Sequence, residues 1–110
     1  MARNNSLEMG ELTEAYYYIL LSLIKPKHGY LVMKSVKEMS EGAFSIGPAS
    51  LYTSIKKLLD AEFIKLTQES EQKKVYVVTG KGIESLKNEI ERKRKMIKIA
   101  EKILNVEEML

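Results

Sequence analysis

The sequence contains no cysteine and no tryptophan, and only one histidine and two prolines among its 110 residues. Without cysteine the chain forms no disulfide and performs no thiolate chemistry, which suits a reducing compartment. His28 has no second histidine or cysteine with which to form a metal-ligand cluster. It also completes no pairing of a nucleophile with a base. We therefore expect no metal, no cofactor and no enzymatic activity.

Long hydrophobic runs are lacking as well. The longest apolar-rich stretch, residues 15–24 (AYYYILLSLI), is far shorter than the roughly 20 residues needed to span a bilayer. The N-terminal residues carry no apolar core next to Arg3, so they do not read as a secretory signal. We expect a cytoplasmic protein with no membrane partner.

The composition is that of a single globular domain with a mild basic excess. Hydrophobic residues make up 45% of the chain, and a domain of this size buries roughly 65% of its unfolded surface. The net charge of +3 is compatible with a polyanionic partner. The positions of the lysine and arginine residues are stronger evidence for such a partner than the net charge is.

Hydrophobic periodicity predicts three helices, a β-hairpin and a long final helix. The first helix, residues 12–24, is capped by Thr13 and ended by Pro26. The second, residues 28–42, has apolar residues at helical spacing, namely Leu31, Val32, Val36 and Met39, and ends at Gly42.

The third helix begins at Gly47-Pro48, with proline at the first helical position. Two β-type runs, residues 63–68 and 73–79, flank a polar turn at 69–72. Thr79 then caps a last helix over about residues 82–105.

The third helix has two chemically different faces. Its packing face consists of Leu51, Ile55, Leu58 and Leu59. The opposite face carries Ala49, Tyr52, Thr53 and Lys56, flanked by Ser50 and Lys57. Hydroxyls bond phosphate oxygens and base edges, and lysine neutralises phosphate charge, so this face is suited to reading DNA.

Three segments resemble the PadR-type family of transcriptional regulators: HGY at 28–30, GPASLYTSIKKLLDAEFI at 47–64 and KKVYVVTGKG at 73–82. The resemblance covers about residues 12–82. It implies a mainly α fold with a small β-hairpin, in which residues 1–80 form a winged helix-turn-helix DNA-binding domain and residues 81–110 a dimerisation helix. It further implies a dimeric repressor that small aromatic or amphipathic compounds release from DNA.

The resemblance also implies positions for the DNA contacts. Carried over by motif, Tyr30, Pro48, Ser50, Tyr52 and Lys56 lie at the DNA, and Lys73 and Lys74 lie on the wing. This chain departs from the motif where Ala61-Glu62 replaces x-Gly, so the turn after the third helix is made without glycine. Because the final helix has no tryptophan, an indole-sandwiched drug site is not supported.

The last helix carries a dimerisation pattern. Ile83, Ile90, Ile97 and Leu104 recur every seven residues, with Leu86 and Ala100 between them, which is a coiled-coil-like seam. From Met96 onward this apolar seam broadens, with Ile99, Ile103 and Val106 added to it. We expect a homodimer, hence a palindromic operator in double-stranded DNA. A pocket for a small-molecule effector would lie at the dimer centre, lined by Tyr17, Met96, Ile99 and Ile103.

An alternative remains open from the residues themselves. The same exposed tyrosine, threonine and lysine face would also suit a winged-helix protein–protein interaction module that does not bind DNA in a sequence-specific way. The two readings differ in salt dependence, because each phosphate contact makes log K fall by about 0.9 per decade of salt.

Overall fold

The computed structural model describes residues 12–70 and 73–105. Four helices and three short strands follow one another as α1 (Glu14–Ser22), β1 (Lys27–His28), α2 (Gly29–Met39), α3 (Pro48–Asp60), β2 (Ile64–Glu69), β3 (Lys74–Val78) and α4 (Gly80–Leu104). The predicted mainly α fold with a winged helix-turn-helix is confirmed. No helix in these two ranges combines the length and apolar character that crossing a bilayer requires.

The predicted caps Thr13 and Thr79 and the first-turn proline are observed, but α1, α2 and α4 each start one or two residues away from the predicted position. The Thr13 hydroxyl accepts the N–H of Tyr16 at 3.2 Å, and Pro48 occupies the first turn of α3 after Gly47. The Thr79 hydroxyl accepts the N–H of Gly82 at 3.1 Å. An N-cap side chain accepts a hydrogen bond from the N–H three residues later, and the helix begins at the residue after the cap. With Thr79 as the N-cap, α4 therefore begins at Gly80, two residues before the predicted start.

The core lies between α1, α2 and α3 and the base of the sheet. The predicted packing face of α3 is confirmed for Leu51, Ile55 and Leu58, which are buried, whereas Leu59 is only half-buried. The larger set of buried apolar residues is Leu12, Ile19, Leu20, Leu23, Val32, Val36, Phe63, Ile64, Tyr76, Val78 and Leu86.

The four apolar residues of α2 that stand at helical spacing differ in burial. Val32 and Val36 face the core, but Leu31 and Met39 are exposed. All four positions fit a helical period. However, α2 packs on the core through a narrow stripe formed by Val32 and Val36, which are one helical turn apart. Leu31 and Met39 lie to either side of that stripe.

The sheet contains a strand that the sequence pattern did not indicate. The strand order is β1-β3-β2, with every pairing antiparallel, and Lys27 and His28 pair with Tyr76 and Val75. A two-residue strand is too short to show an alternating pattern, and only its pairing with β3 defines it. Of the predicted hairpin turn, residues 71 and 72 lie outside the described residues, as does Val106.

The turn after α3 is made without glycine, as expected. Glu62 adopts a left-handed backbone with φ of 65°. A side chain in this conformation costs about 1 kcal/mol or more, so the turn carries a strain that glycine would avoid. Its geometry is held by hydrogen bonds that Glu62 and Phe63 donate to carbonyls of α3, those of Leu59 and Leu58.

Gly82 allows the first turn of α4 to pack directly on the start of the wing. A Cβ atom at this position would lie 2.2 Å from the carbonyl oxygen of Phe63 and 2.6 Å from Cγ2 of Val78. Gly80, two residues earlier in the same helix, has open space at the corresponding point. Only one of these two glycines is therefore required by packing.

We expect Gly82→Ala to lower the free energy of unfolding by at least about 2 kcal/mol, because the backbone of Phe63 has no room to move aside. Gly80→Ala is the matched control, and it should leave stability unchanged or raise it by up to about 1 kcal/mol. Urea denaturation followed by circular dichroism measures both. Equal effects of the two substitutions would contradict this packing.

A buried carboxylate joins α4 to the beginning of α1. Glu89 is fully buried and accepts the N–H of Leu12 at 3.3 Å, and its oxygens lie 2.6 Å from Nη2 of Arg92 and 3.1 Å from Nζ of Lys93. Burial by itself would raise the pKa of Glu89. The hydrogen bonds from Arg92, Lys93 and Leu12 outweigh that effect, so the pKa lies below its ordinary value.

We expect Glu89→Gln to destabilise the protein by about 1–3 kcal/mol at pH 7, because charge-assisted hydrogen bonds are lost in a buried site. The folded state lowers the pKa of Glu89, so its contribution is complete above the unfolded value of about 4.3 and disappears as the pH falls through the folded value. The difference between wild type and variant should therefore shrink below about pH 4.3.

Urea denaturation at several pH values checks this, with Glu91→Gln as the control. Glu91 is exposed on the same helix, and its substitution removes the same charge without a buried partner. A Glu89→Gln effect that is constant between acidic and neutral pH would contradict the assigned ion pairs.

Candidate nucleic-acid interface

The outward face of α3 forms one continuous exposed surface. Its exposed side chains are those predicted from the sequence, Pro48, Ala49, Ser50, Tyr52, Thr53 and Lys56, together with Lys57. On the opposite face of α3, the buried residues Leu51, Ile55 and Leu58 pack into the core. The face presents hydroxyls, one aromatic ring and two ammonium groups, and its nearest carboxylate in α3 is Asp60 at the far end.

The connection from α2 fixes where α3 begins. The N–H of Gly42 (φ 83°) donates to the carbonyl of Lys37 at 2.8 Å, which closes the end of α2. The Ser40 hydroxyl then accepts the N–H of Phe44 at 3.0 Å. The ring of Phe44 stacks on Tyr18 of α1 at 5.4 Å between centroids, so the connection is tied to the helical core.

Tyr52 has a second role that its sequence position did not show. Its ring lies against Gly29 at the start of α2, where a Cβ atom would be 2.9 Å from Cε1 of the ring. A larger residue in place of the glycine of the HGY segment would therefore require the ring of this tyrosine to shift. Tyr52 remains 49% exposed, so one edge packs on α2 while the rest of the side chain faces outward.

A cleft of about 380 Å³ joins α3 to the wing. It is lined by His28, Gly29, Tyr30, Tyr52, Ser70, Lys73, Lys74 and Tyr76. Four predicted DNA contacts from three separate segments, Tyr30, Tyr52, Lys73 and Lys74, thus meet around one opening. We call this opening the wing cleft.

Three residues of the wing cleft were missed by sequence reasoning. His28 enters through the pairing of β1 with β3, and its side chain makes no capping hydrogen bond although it stands at the N-cap of α2. Ser70 and Tyr76 come from the hairpin. The period of two along β3 sets Tyr76 on the same side as Lys74, which was the available signal.

The chemistry of the wing cleft favours an anionic ligand. The hydroxyl of Tyr76 is protonated and able to donate at neutral pH, as in any tyrosine, and burial, followed by the nearby Tyr52 and Glu69, raises its pKa further. Lys74 lies 3.9 Å from Glu69, and on α3 Lys56 lies 3.5 Å from Asp60. Both are exposed ion pairs of small energy, which a phosphate would readily displace.

The predicted dimer stripe divides into a covered and an uncovered half. Leu86 is 4% exposed and belongs to the core of its own chain, so its apolar character needs no second subunit. Ile90 is half-buried and Ile83 is 38% exposed, whereas Ile97 is 56% and Leu104 67% exposed, so exposure along the stripe is greatest in the second half of α4. The division follows from length, because α4 spans about 37 Å and the other helices cover only its first half.

Within one chain, the predicted effector-pocket residues differ in burial. Met96, Ile99 and Ile103 are exposed on the second half of α4. Tyr17 is half-buried on α1, and Nζ of Lys93 lies 5.5 Å from the centroid of its ring. As for metals, the two described ranges hold no group of three or more histidine, cysteine or carboxylate residues that could bind one.

The chain matches the model of the transcriptional regulator PadR-like family over residues 19–88. No curated protein sequence matches it. Among solved structures, Bacillus subtilis PadR, determined in complex with operator DNA, is 29% identical, with a TM-score of 0.60 over 71% of this chain and 47% of that one.

Two other solved structures are similar in fold over nearly the whole chain. A transcriptional regulator from Clostridium thermocellum is 22% identical, with a TM-score of 0.70 over 92% of this chain and 97% of its own. A PadR family transcriptional regulator from Eggerthella lenta is 21% identical, with a TM-score of 0.68 over 89% of this chain and 83% of its own. Since the family model spans more than half of the sequence, the chain belongs to the transcriptional regulator PadR-like family.

Proposed function

We propose that this transcriptional regulator is a cytoplasmic homodimeric repressor that binds a palindromic operator in double-stranded DNA. In this proposal α3 enters the major groove, the wing contacts the flanking backbone, and a small hydrophobic or aromatic effector releases the complex. The observation that carries it is the convergence of the exposed α3 face with Tyr30, Lys73 and Lys74 around the wing cleft.

The reading of DNA is supported by the chemistry of the exposed residues. Thr53 and Ser50 offer hydroxyls that bond base edges or phosphate oxygens, and Lys56 offers a charge-assisted donor. Ala49 lets the N-terminal end of α3 approach a groove closely. Bacillus subtilis PadR was solved with operator DNA, and its likeness to this chain supports the same class of ligand here.

The homodimer is supported by the uncovered second half of α4. Met96, Ile97, Ile99, Ile103 and Leu104 expose apolar side chains on this half. A contiguous apolar surface of this kind usually marks an interface. Residues 81–110 would then be the dimerisation helix and residues 1–80 the DNA-binding domain. A two-fold axis would set two α3 helices about 34 Å apart, which requires a palindromic operator.

The effector is proposed to bind at the dimer centre. Met96, Ile99 and Ile103 would meet Tyr17 of either chain there and enclose an apolar cavity. Such a ligand would release DNA only if it binds more tightly to a dimer with a different spacing of the α3 helices.

We expect Lys56→Ala and Tyr52→Phe each to weaken operator binding by about 1–3 kcal/mol, or roughly 5- to 150-fold. The first substitution removes an exposed cation. The second removes only a hydroxyl and keeps the ring against Gly29, so folding should be intact. Fluorescence anisotropy with an operator selected by the wild-type protein from random DNA measures the affinity.

Lys98→Ala is the control, because Lys98 is exposed on the side of α4 away from its buried face. Thermal unfolding should show the same midpoint for all variants. If both α3 variants bind the selected operator as tightly as wild type, α3 is not the reading helix. Failure to select any duplex would favour the protein–protein interaction module instead.

We expect Ile97→Asp combined with Leu104→Asp to give a folded monomer that no longer holds operator DNA. Both side chains are exposed in the single chain, so the charges would disturb only an interface. Ile90 is left unchanged because it is half-buried within its own chain. Sedimentation equilibrium measures the mass, and anisotropy measures the affinity.

The matched control is Lys98→Asp combined with Lys102→Asp, which places two aspartates on the opposite side of the same helix. This control should remain dimeric. A dimeric Ile97→Asp/Leu104→Asp variant, or a monomeric wild type, would overturn the proposed architecture.

A further inference from the structure

A second cleft lies between α1 and α3, away from the wing. It has a volume of about 310 Å³ and is lined by Tyr16, Ala49, Ser50, Thr53, Ser54 and Lys57. Neither Tyr16 nor Ser54 belongs to the DNA contacts that the sequence suggested. We call this opening the α1–α3 cleft.

The two clefts flank α3 on opposite sides. Successive residues of an α-helix are 100° apart, so Ser54 is turned about 200° from Tyr52, which borders the wing cleft. Ala49, Thr53 and Lys56 lie between these two positions and form the most outward ridge of the helix. The exposed face of α3 therefore runs between two openings.

Apart from Ala49, the side chains that line the α1–α3 cleft are hydrogen-bond donors, with one positive charge and no carboxylate. Ser50, Thr53 and Ser54 supply hydroxyls from α3, and Lys57 supplies an ammonium group that forms no ion pair with any residue of ranges 12–70 and 73–105. Tyr16 supplies a hydroxyl from α1. This hydroxyl is a donor at neutral pH, as in any tyrosine, and burial raises the pKa of Tyr16 further.

We propose that the α1–α3 cleft binds a phosphate of the DNA backbone, with Tyr16 and Lys57 as its main ligands. The inference rests on the proposed function. The major groove is about 12 Å wide and a helix with its side chains is about 10–12 Å across, so a helix in the groove meets a sugar–phosphate strand on each side. The wing cleft faces one strand and the α1–α3 cleft faces the other.

This arrangement gives α1 a part in positioning the reading helix. Phosphate contacts fix register and orientation without carrying sequence information. With one phosphate held on each flank, α3 is prevented from rolling about its own axis in the groove. Tyr16 is suited to holding a phosphate because its backbone N–H is bound by the Thr13 hydroxyl. The position of its backbone therefore does not depend on contacts of its ring.

The test uses two single substitutions and a duplex that does not depend on knowing the operator. Wild type, Tyr16→Phe and Lys57→Gln are titrated into a fluorescein-labelled random-sequence duplex of about 30 base pairs, between roughly 50 and 200 mM KCl, where phosphate contacts dominate binding. Lys98→Gln is the matched control, since it removes a distant exposed charge.

Lys57→Gln should reduce the slope of log K against log salt by about 0.9 per bound chain, because one counterion fewer is released. Tyr16→Phe should weaken binding by about three- to tenfold at every salt concentration without changing the slope, since a neutral hydroxyl releases no counterion. Lys98→Gln should change neither quantity.

Two results would overturn the inference, and each is distinct from failure of the proposed function. If Lys57→Gln leaves the slope as in wild type, or if Tyr16→Phe binds as wild type does, the cleft holds no phosphate although the protein still binds DNA. If wild type itself binds the duplex without salt dependence, the proposed function fails first, and the inference with it.

Discussion

The junction between the wing and α4 is the constraint on which the rest of the structure depends. The Thr79 hydroxyl donates to the carbonyl of Glu62 at 2.7 Å and its N–H donates to the carbonyl of Phe63 at 2.9 Å, while Gly82 lets α4 pass directly over that same carbonyl. The end of α3, the base of the wing and the start of α4 are therefore fixed to one another within a few residues. The direction of α4 is therefore coupled to α3 through this contact, in addition to the packing of α4 on α1.

Packing and recognition share side chains around the wing cleft. Tyr52 approaches Gly29 so closely that a Cβ atom there would require the ring to shift, yet about half of the tyrosine remains accessible. Tyr76 is buried in the sheet, yet it also lines the wing cleft, where its hydroxyl is a hydrogen-bond donor at neutral pH. Because the packed parts of these rings hold them in place, little conformational entropy is left to lose when a ligand binds.

The two halves of α4 are stabilised differently. In the first half, Leu86 enters the core and Glu89 binds the N–H of Leu12 and the cations of Arg92 and Lys93. In the second half, Ile97 and Leu104 have no neighbour within the described chain that covers them. The first half fixes where the helix leaves the body, and the second half is free to meet another surface.

The local sequence was sufficient to predict the order and type of the main elements, since caps at Thr13 and Thr79 and proline at position 48 act over three or four residues. It also determined the outward face of α3, because a helical period fixes which residues oppose Leu51, Ile55 and Leu58. Three features became visible only in the tertiary structure: strand β1, the packing of Tyr52 against Gly29 and the burial of Leu86. Each depends on a partner distant in sequence, and no local period carries that information.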